Sequence, residues 1–192
     1  MGDIRRPRKK YQTPSHPWEA ARMAEEKPLM KEYGLSNKRD LWKMSSYAKT
    51  IAIQAKKLIA KRDDEQSIKE KELLMQRLIR YNLIRPGDPI ETALSLNSKD
   101  ILERRLQTMV VRKNLARSMK QARQLVTHKH IMVNKKVITS PAYLVSALEE
   151  NQLAYSENSP MTDENHPERP EQKVRQEISE EKAKITENES AE

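Results

Sequence analysis

The sequence has no cysteine and no phenylalanine, and it has only three glycines among 192 residues. Without cysteine it cannot form a disulfide, a thiolate zinc site or a cysteine nucleophile. The glycines, Gly2, Gly34 and Gly87, are too far apart to form a loop whose backbone N–H groups cradle a phosphate. Nucleotide-binding folds of the P-loop and Rossmann types are therefore excluded.

Long apolar runs are missing as well. A basic cluster follows Met1 and Gly2 with no apolar stretch behind it, which is not the pattern of a secretory leader. No run approaches the length that a membrane-spanning helix requires. We therefore expect a cytoplasmic protein without a membrane partner.

The charge, +9 in total, is distributed unevenly. Residues 157–192 hold 5 basic and 11 acidic side chains, a net charge of −6, which leaves residues 1–156 with +15. This tail contains three prolines and little to bury, so we expect an acidic, disordered segment. We hypothesise that it limits nonspecific sticking to RNA. The strongly basic remainder favours a nucleic-acid partner.

The first 16 residues form a predicted basic arm. Pro7 and Pro14 favour an extended chain over a helix. A solvated basic segment is the alternative. Contact with RNA is favoured because the rest of residues 1–156 is also basic. The basic residues of this arm are Arg5, Arg6, Arg8, Lys9 and Lys10.

Residues 17–101 have the pattern of a helical subdomain. One apolar stripe runs at helical spacing from Leu41 to Ile59, and a second helix is predicted over 65–81, capped by Asp63 or Asp64. We expect the second helix to bury Ile68, Leu74, Met75, Leu78 and Ile79. Stacking on bases is the alternative for Trp18 and Trp42, but we expect both to pack in a small core that lacks phenylalanine.

An acid-free stretch extends from Arg104 to Leu148. A surface selected only for solubility mixes both charge signs, whereas a long stretch of one sign repels itself unless an anion lies against it. This stretch is therefore the predicted RNA-binding region. Its basic residues are Arg104, Arg105, Arg112, Lys113, Arg117, Lys120, Arg123, Lys129, Lys135 and Lys136.

Two helices are predicted in this region. One, near 100–112, buries Leu102, Leu106 and Met109 and turns its arginines to one side. The other begins at Ser118, which with Gln121 forms a Ser-x-x-Gln capping box. On that second helix the apolar face and the basic face are opposite each other. The apolar residues are Met119, Ala122, Leu125 and Val126, and the residues opposite are Lys120, Arg123 and Thr127.

A short hairpin follows the second helix. Residues 131–133 read as a strand, Asn134-Lys135-Lys136 as its turn, and residues 137–138 as the return. The result is a pair of basic helices against a hairpin with a basic tip.

This region resembles the alpha-L motif, the RNA-binding module named after small-subunit ribosomal protein four. The most specific element is Ala122-Arg123-x-Leu125-Val126 followed by His130-Ile131-x-Val133-Asn134. Residues 8–19 and 32–42 also resemble the archaeal and eukaryotic branch of that ribosomal protein family, with an archaeal member favoured. The likeness covers about residues 1–156. The matching segments of the module are residues 102–108, 115–126, 128–134 and 141–145.

Two departures from that family matter. Its hairpin tip often reads Asn-Gly-Lys, whereas this chain has Asn134-Lys135-Lys136, and Asn can itself adopt the left-handed conformation. Some bacterial members carry zinc-binding cysteines near the N-terminus. This chain has none, so we expect no metal and no other cofactor.

The residue patterns and the resemblance together predict an α+β, mainly helical protein with an extended arm (1–16), a helical subdomain (17–101) and an RNA-binding module of two to three helices on a small sheet (102–156). The acidic tail (157–192), which lies outside the resemblance, is the fourth part. The resemblance also implies direct binding to small-subunit rRNA near a helical junction in its 5′ part. A role early in subunit assembly, contact with small-subunit protein five and an influence on decoding accuracy are implied too.

The candidate RNA-binding residues combine charge and neutral hydrogen bonding. Arg and Lys would contact phosphates, and amides, hydroxyls and imidazoles would reach the backbone or 2′-OH groups. A solvated face is the alternative for Lys120 and Arg123. To the ten basic residues of the acid-free stretch and the five of the arm we add Ser118, Gln121, Gln124, His128, His130 and Asn134.

Other functions fit the sequence less well. His128 and His130 could suggest a metal pair, but they lack a nearby third ligand. No catalytic motif is present, so we expect neither an enzyme nor a small-molecule substrate. An RNA-modifying or surveillance protein that carries the same module would need a catalytic domain, and residues 1–100 are too basic and helical for one. A DNA-binding helix-turn-helix protein would leave the hairpin unexplained.

Overall fold

The computed structural model describes residues 9–61, 64–163 and 166–170. Within them the helices are α1 (Ala20–Glu32), α2 (Lys38–Ala60), α3 (Glu65–Arg80), α4 (Ser98–Glu103), α5 (Leu106–Arg112), α6 (Met119–Thr127) and α7 (Ala147–Glu150). The strands are β1 (Ile131–Val133), β2 (Lys136–Val137) and β3 (Leu153–Tyr155), and short 3₁₀ helices cover Ile90–Leu94 and Pro160–Thr162. The predicted fold class, α+β and mainly helical, is confirmed. None of the helices in the described part of the chain is long and apolar enough to cross a membrane.

The N-terminal helices largely follow the predicted apolar stripes. Helix α2 buries six residues of its stripe, whereas Ile59 at its end stays 41% exposed. Helix α3 buries Leu74 and Leu78 as predicted, but Ile68 is exposed and Ser67 is buried instead. The buried α2 residues are Leu41, Met44, Ala48, Ile51, Ala55 and Leu58.

The predicted cap of α3 is only partly realised. Asp64 is its N-cap residue, but the Asp64 side chain makes no capping hydrogen bond. Asp63, the other candidate, lies outside the described residues.

The two tryptophans differ in their surroundings. Trp18 is 86% exposed, so the prediction that it packs in a core was wrong. Trp42 is half-buried and donates a hydrogen bond from Nε1 to Glu26 Oε1 at 3.0 Å. Only Trp42 therefore takes part in the packing of the N-terminal helices.

The C-terminal part is built on α5, α6 and a three-stranded antiparallel sheet with the order β2-β1-β3. Strand β3, which the sequence did not predict, pairs with β1 so that Ile131 is opposite Tyr155 and Val133 is opposite Leu153. One apolar cluster joins these elements. It consists of Leu106, Met109, Val110, Ala116, Ala122, Leu125, Val126, Ile131, Val133, Val145 and Met161.

The single helix predicted near 100–112 is two helices, α4 and α5, so that prediction was wrong. Between α4 and α5 the backbone forms hydrogen bonds with residues 143 and 145 in addition to those within the helical turns. The N–H of Leu106 donates to the Tyr143 carbonyl at 2.7 Å, and the Arg104 carbonyl accepts from Val145 at 2.9 Å. The expected burial of Leu102, Leu106 and Met109 is confirmed.

The N-terminal helices and the C-terminal part are in close contact. Ile101 and Leu102 belong to the same apolar cluster as Tyr33 and Leu41. A Cβ on Gly34 would lie 2.7 Å from the Cβ of Met119, so only glycine fits there without a shift. The proposed division between residues 101 and 102 therefore falls inside a packed interface.

The first part of the acidic tail packs on the fold, which corrects the expectation that it is disordered. Met161 is buried in the C-terminal apolar cluster, and Ser159 Oγ lies 2.9 Å from His130 Nδ1. Residues 171–192, the rest of the predicted tail, lie outside the described residues.

Candidate RNA interface

Helix α6 presents the basic face that the sequence predicts. Ser118 Oγ accepts the hydrogen bond from the Gln121 N–H at 3.2 Å and so caps the helix. In a capping box the Gln121 side chain would accept from the N–H of Ser118. Here Gln121 Oε1 accepts instead from the N–H of Arg117, one residue earlier, at 2.7 Å. Ala122, Leu125 and Val126 are buried, which leaves Lys120 and Gln124 exposed and Arg123 half-buried on the other faces.

After α6 the chain makes a turn and enters strand β1. Lys129 adopts a left-handed conformation with φ +67°, and the His130 N–H donates to the Leu125 carbonyl at 2.9 Å. His128 and Lys129 are exposed beside this turn. The rings of His128 and His130 stack with centroids 6.4 Å apart, and both residues precede strand β1.

The hairpin tip adds further positive charge. Asn134 and Lys135 both have positive φ values, +50° and +59°, as a two-residue type I′ turn requires. The left-handed Asn134 was predicted, and the return strand starts one residue earlier than predicted because Lys136 pairs with Val133. Asn134, Lys135 and Lys136 are all exposed, so the tip is open to a partner.

Arg104 and Arg105 are buried, which overturns the prediction that they lie on an exposed basic side. Arg104 is 8% exposed and donates to Glu150 Oε2 at 2.9 Å and to the Val145 carbonyl. Arg105 is 1% exposed, and burial lowers the pKa of its guanidinium while nearby Asp40 acts in the opposite direction. The turn between α4 and α5 points both side chains inward, so we remove them from the candidate interface.

Arg112 and Lys113 are accessible to solvent, but each lies close to a carboxylate of the protein. Arg112, 57% exposed at its side chain, donates to both carboxylate oxygens of Glu103 at 2.8 and 3.1 Å. These bonds lower the pKa of Glu103, against the effect of its burial, and raise the pKa of Arg112. Lys113 Nζ lies 4.0 Å from Glu150. Both residues are therefore accessible to a partner but already lie beside carboxylates of the protein.

Arg117 and Gln121 contact the C-terminal residues. Arg117 Nη2 donates to the carbonyl oxygens of Pro167 and Arg169 at 2.6 and 2.7 Å. Gln121 Nε2 donates to the Glu168 carbonyl at 2.7 Å. Nothing in the sequence signals these contacts, since residues 167–169 lie in the segment expected to be disordered.

A second basic surface lies along the N-terminal arm. Lys9 and Lys10 line a groove with Lys49 and Lys56 of α2, and none of the described residues that line it is acidic. Lys9 Nζ lies 4.7 Å from the centre of the Tyr11 ring. Lys49 and Lys56 were not among the predicted residues, although they fall outside the buried stripe of α2, which is the available signal. Arg5, Arg6 and Arg8 lie outside the described residues.

A metal centre finds no support in the residues that the structure describes, where no group of three or more His, Cys, Asp or Glu side chains could hold an ion. His130 Nδ1 lies 2.9 Å from Ser159 Oγ, so its ring has a partner within the protein.

Comparison with known proteins gives a consistent result. Residues 104–150 match the S4 domain family. The chain is 48% identical to small ribosomal subunit protein uS4 of Picrophilus torridus over 169 residues, which are 87% of this chain and 92% of that protein. It is 50% identical to the uS4 proteins of Methanococcus maripaludis and Methanococcus vannielii over 170 residues, 88% of this chain and 95% of each relative. These relatives are archaeal.

Proposed function

This chain belongs to the small ribosomal subunit protein uS4 family, and we propose that it binds small-subunit rRNA directly as a structural constituent of the archaeal small ribosomal subunit. The relatives bear the names of ribosomal subunit proteins and not of enzymes. Its place of action is then the ribosome in the cytoplasm.

One observation carries the RNA-binding part of the proposal: from the start of α6 to the hairpin tip, residues 119–136, the chain has several exposed basic side chains and no acidic residue. Lys120 and Arg123 lie on the helix, Lys129 at its end, and Lys135 and Lys136 on the hairpin. A protein surface of this kind lowers its self-repulsion when a polyanion lies against it. RNA phosphates are such a polyanion.

The proposed mechanism is recognition of RNA shape. Lysine and arginine side chains contact phosphates, whereas Ser118, Gln124, His128 and Asn134 offer neutral hydrogen bonds to the sugar-phosphate backbone. The α6–hairpin surface and the groove of Lys9 and Lys10 would each engage a separate helix. A junction, where RNA helices meet at fixed angles, would satisfy both surfaces at once.

Family membership supports finer proposals. We propose that binding occurs near a helical junction in the 5′ part of the rRNA, early in subunit assembly. Small-subunit protein five is the proposed protein neighbour, and an influence on decoding accuracy is the proposed consequence. We also propose that the chain is divided into the arm, the helical subdomain, the RNA-binding module and the tail, and that part of the tail packs on the module.

A charge-removal experiment tests the α6–hairpin surface. Lys120, Arg123 and Lys129 are replaced together by alanine, and binding to a small-subunit rRNA junction fragment is measured from low to moderate salt. Removing one phosphate-binding side chain should lower the salt slope by about 0.7–0.9, so the triple variant should show a slope smaller by about 2 to 3. Affinity should fall at least tenfold at low salt.

The matched control removes three positive charges from exposed lysines of α1 and α3. Lys27, Lys31 and Lys69 are exposed and line neither basic surface. We expect this variant to bind nearly as well as the parent chain. An equal reduction of affinity in both triple variants would mean that net charge alone governs binding, which would contradict the assignment of the surface.

A further inference from the structure

Three consecutive backbone carbonyl groups accept hydrogen bonds from two side chains at the start of α6. The oxygens of Pro167, Glu168 and Arg169 accept from Arg117 and Gln121 at 2.6 to 2.7 Å. Arg117 Nε adds a further bond to the Arg169 carbonyl at 3.2 Å. Within the described part of the chain, all the side-chain hydrogen bonds of the Arg117 guanidinium go to residues 166–170, which we call the C-terminal strap.

The strap is held by few contacts of its own. The Arg169 guanidinium lies 5.5 Å from the centre of the Tyr155 ring, and its Nη1 donates to the Thr162 carbonyl at 3.3 Å. Within the strap the Arg169 N–H donates to the His166 carbonyl at 3.0 Å. One cation–π contact between half-buried groups, one 3.3 Å side-chain hydrogen bond and one backbone hydrogen bond are individually weak. The strap can therefore be displaced without unfolding the module.

An anchor before the strap keeps it near the interface. Met161 is buried in the apolar cluster under α6, and Ser159 contacts His130. Displacement of the strap would leave Met161 and Ser159 in place. The local concentration of the strap at Arg117 would then remain high, because the tether is short.

The donors that the strap occupies suit a phosphodiester better than they suit carbonyl groups. A guanidinium presents parallel N–H groups that match two phosphate oxygens, and hydrogen bonds between charged groups are stronger than those to neutral carbonyl oxygens. Arg117 directly precedes the Ser118 cap of α6, and Gln121 lies on that helix between Lys120 and Arg123. An RNA backbone that follows the basic face of α6 reaches them directly.

We infer that Arg117 and Gln121 form an RNA-phosphate site which the chain's own strap occupies in the free protein, so that RNA and strap compete for it. The inference rests on the proposed function and adds a consequence to it. An RNA that contacts Arg117 and Gln121 has to offset the free energy of displacing the strap. The strap therefore lowers the affinity for every such RNA by one common factor and leaves the preference among them unchanged.

The test uses Arg169→Ala in the full chain, which removes the contacts with Tyr155 and Thr162 but leaves the phosphate site intact. The matched control is Lys173→Ala, which removes one positive charge from the same tail. A third chain ends at Asp163, so that it lacks the strap but keeps Met161 and Ser159. Affinity for the rRNA junction fragment and for a plain RNA duplex is measured for each, with thermal unfolding to establish that each chain is folded.

The expected result is that Arg169→Ala and the shortened chain bind both RNAs on the order of tenfold more tightly than the parent, with an unchanged preference for the junction. Lys173→Ala should bind as the parent does or slightly more weakly. A gain in affinity on removal of a positive charge is the reverse of what simple electrostatics predicts.

Hydrogen exchange on the full chain supplies an independent readout. Adding the junction fragment should speed exchange at residues 166–170 and slow it on α6. Slower exchange in the strap with RNA bound, or equal affinities of Arg169→Ala and Lys173→Ala, would overturn the inference while leaving the proposed function intact. Absence of junction binding by the full chain and by every variant would overturn the proposed function, and this inference with it.

Discussion

Arg105 and Asp40 form an ion pair between the two halves of the molecule, with 3.8 Å between Arg105 Nη2 and Asp40 Oδ2. Asp40 belongs to the first turn of α2, and Arg105 directly precedes α5. The Arg105 side chain is 1% exposed, and among the described residues its Nε and Nη1 atoms have no hydrogen-bond partner. Asp40 is therefore the main neutralising group for a buried cation.

Replacing Asp40 by asparagine should destabilise the protein by about 1–3 kcal/mol, because a buried guanidinium would lose its counter-charge. Urea unfolding at neutral pH measures the change. Asp40 also lies 3.4 Å from Lys43 at the surface, so Lys43→Ala serves as the control for that exposed pair and should cost less than about 1 kcal/mol. Equal costs for the two variants would contradict the role assigned to Arg105.

Gly34→Ala should be strongly destabilising. Gly34 has φ +56°, and an added Cβ would lie 2.7 Å from Met119 Cβ and 2.9 Å from Gln107 Nε2. The left-handed conformation costs about 1–2 kcal/mol for an L-residue, and the steric overlap adds about 1–3 kcal/mol. Urea unfolding of the variant and the parent measures the difference.

Gly87→Ala is the matched control for this prediction. Gly87 also has a positive φ, +97°, but no atom lies within 4 Å of its added Cβ. The decrease in unfolding free energy should be smaller than for Gly34→Ala, and the difference reports the contact with Met119. Similar decreases would mean that this contact is not tight.

Lys135→Gly should stabilise the hairpin by about 0.5–1 kcal/mol, since Lys135 has φ +59° in a turn that favours glycine. Lys136→Gly removes the same charge from the neighbouring residue of strand β2, where glycine weakens the strand. Thermal unfolding should therefore shift upward for the first variant and downward for the second. Both should weaken RNA binding. A downward thermal shift for Lys135→Gly would show that the turn carries no strain.

Acid should weaken the N-terminal helices through Glu26. Burial alone would raise the pKa of Glu26, but hydrogen bonds from Trp42 and Arg22 and the ion pair with Lys38 together bring it below its ordinary value. A carboxyl group whose pKa is lower in the folded state stabilises the fold above its unfolded pKa, and that stabilisation disappears as pH falls through the folded pKa.

Glu26→Gln tests this dependence by urea unfolding between about pH 7 and pH 2. The variant should be less stable than the parent by about 1–3 kcal/mol at neutral pH, because its hydrogen bonds are no longer charge-assisted. The gap should close as pH falls below about 4.5. A gap that stays constant across this range would contradict the assigned protonation.

The parts of the interface that the sequence predicts well are those controlled by local rules. The Ser118 cap and the alternation of Ala122, Leu125 and Val126 with Lys120 determine how α6 lies, and the structure confirms them. The hairpin also follows from short-range pattern, because Asn134 tolerates the left-handed conformation. Such features depend on a few neighbouring residues and are readable without tertiary information.

The parts that the sequence did not predict depend on distant partners. Arg104 and Arg105 look like surface cations because their counter-charges, Glu150 and Asp40, lie 46 and 65 residues away along the chain. The strap was missed because its binding uses backbone carbonyl groups, which every sequence has. The acidic, proline-containing composition of residues 157–192 instead suggested disorder, and among the described residues of that tail Met161, the anchor of the strap, is the one buried apolar side chain.

Recognition of the shape of a small-subunit rRNA junction by this chain is tested most directly by equilibrium binding over a salt series. The parent chain is titrated with the junction fragment and with a plain RNA duplex of equal length. We expect a preference for the junction that persists at moderate salt, because contacts fitted to its shape remain when counterion release weakens. Equal affinities for both RNAs, vanishing together as salt rises, would contradict shape recognition.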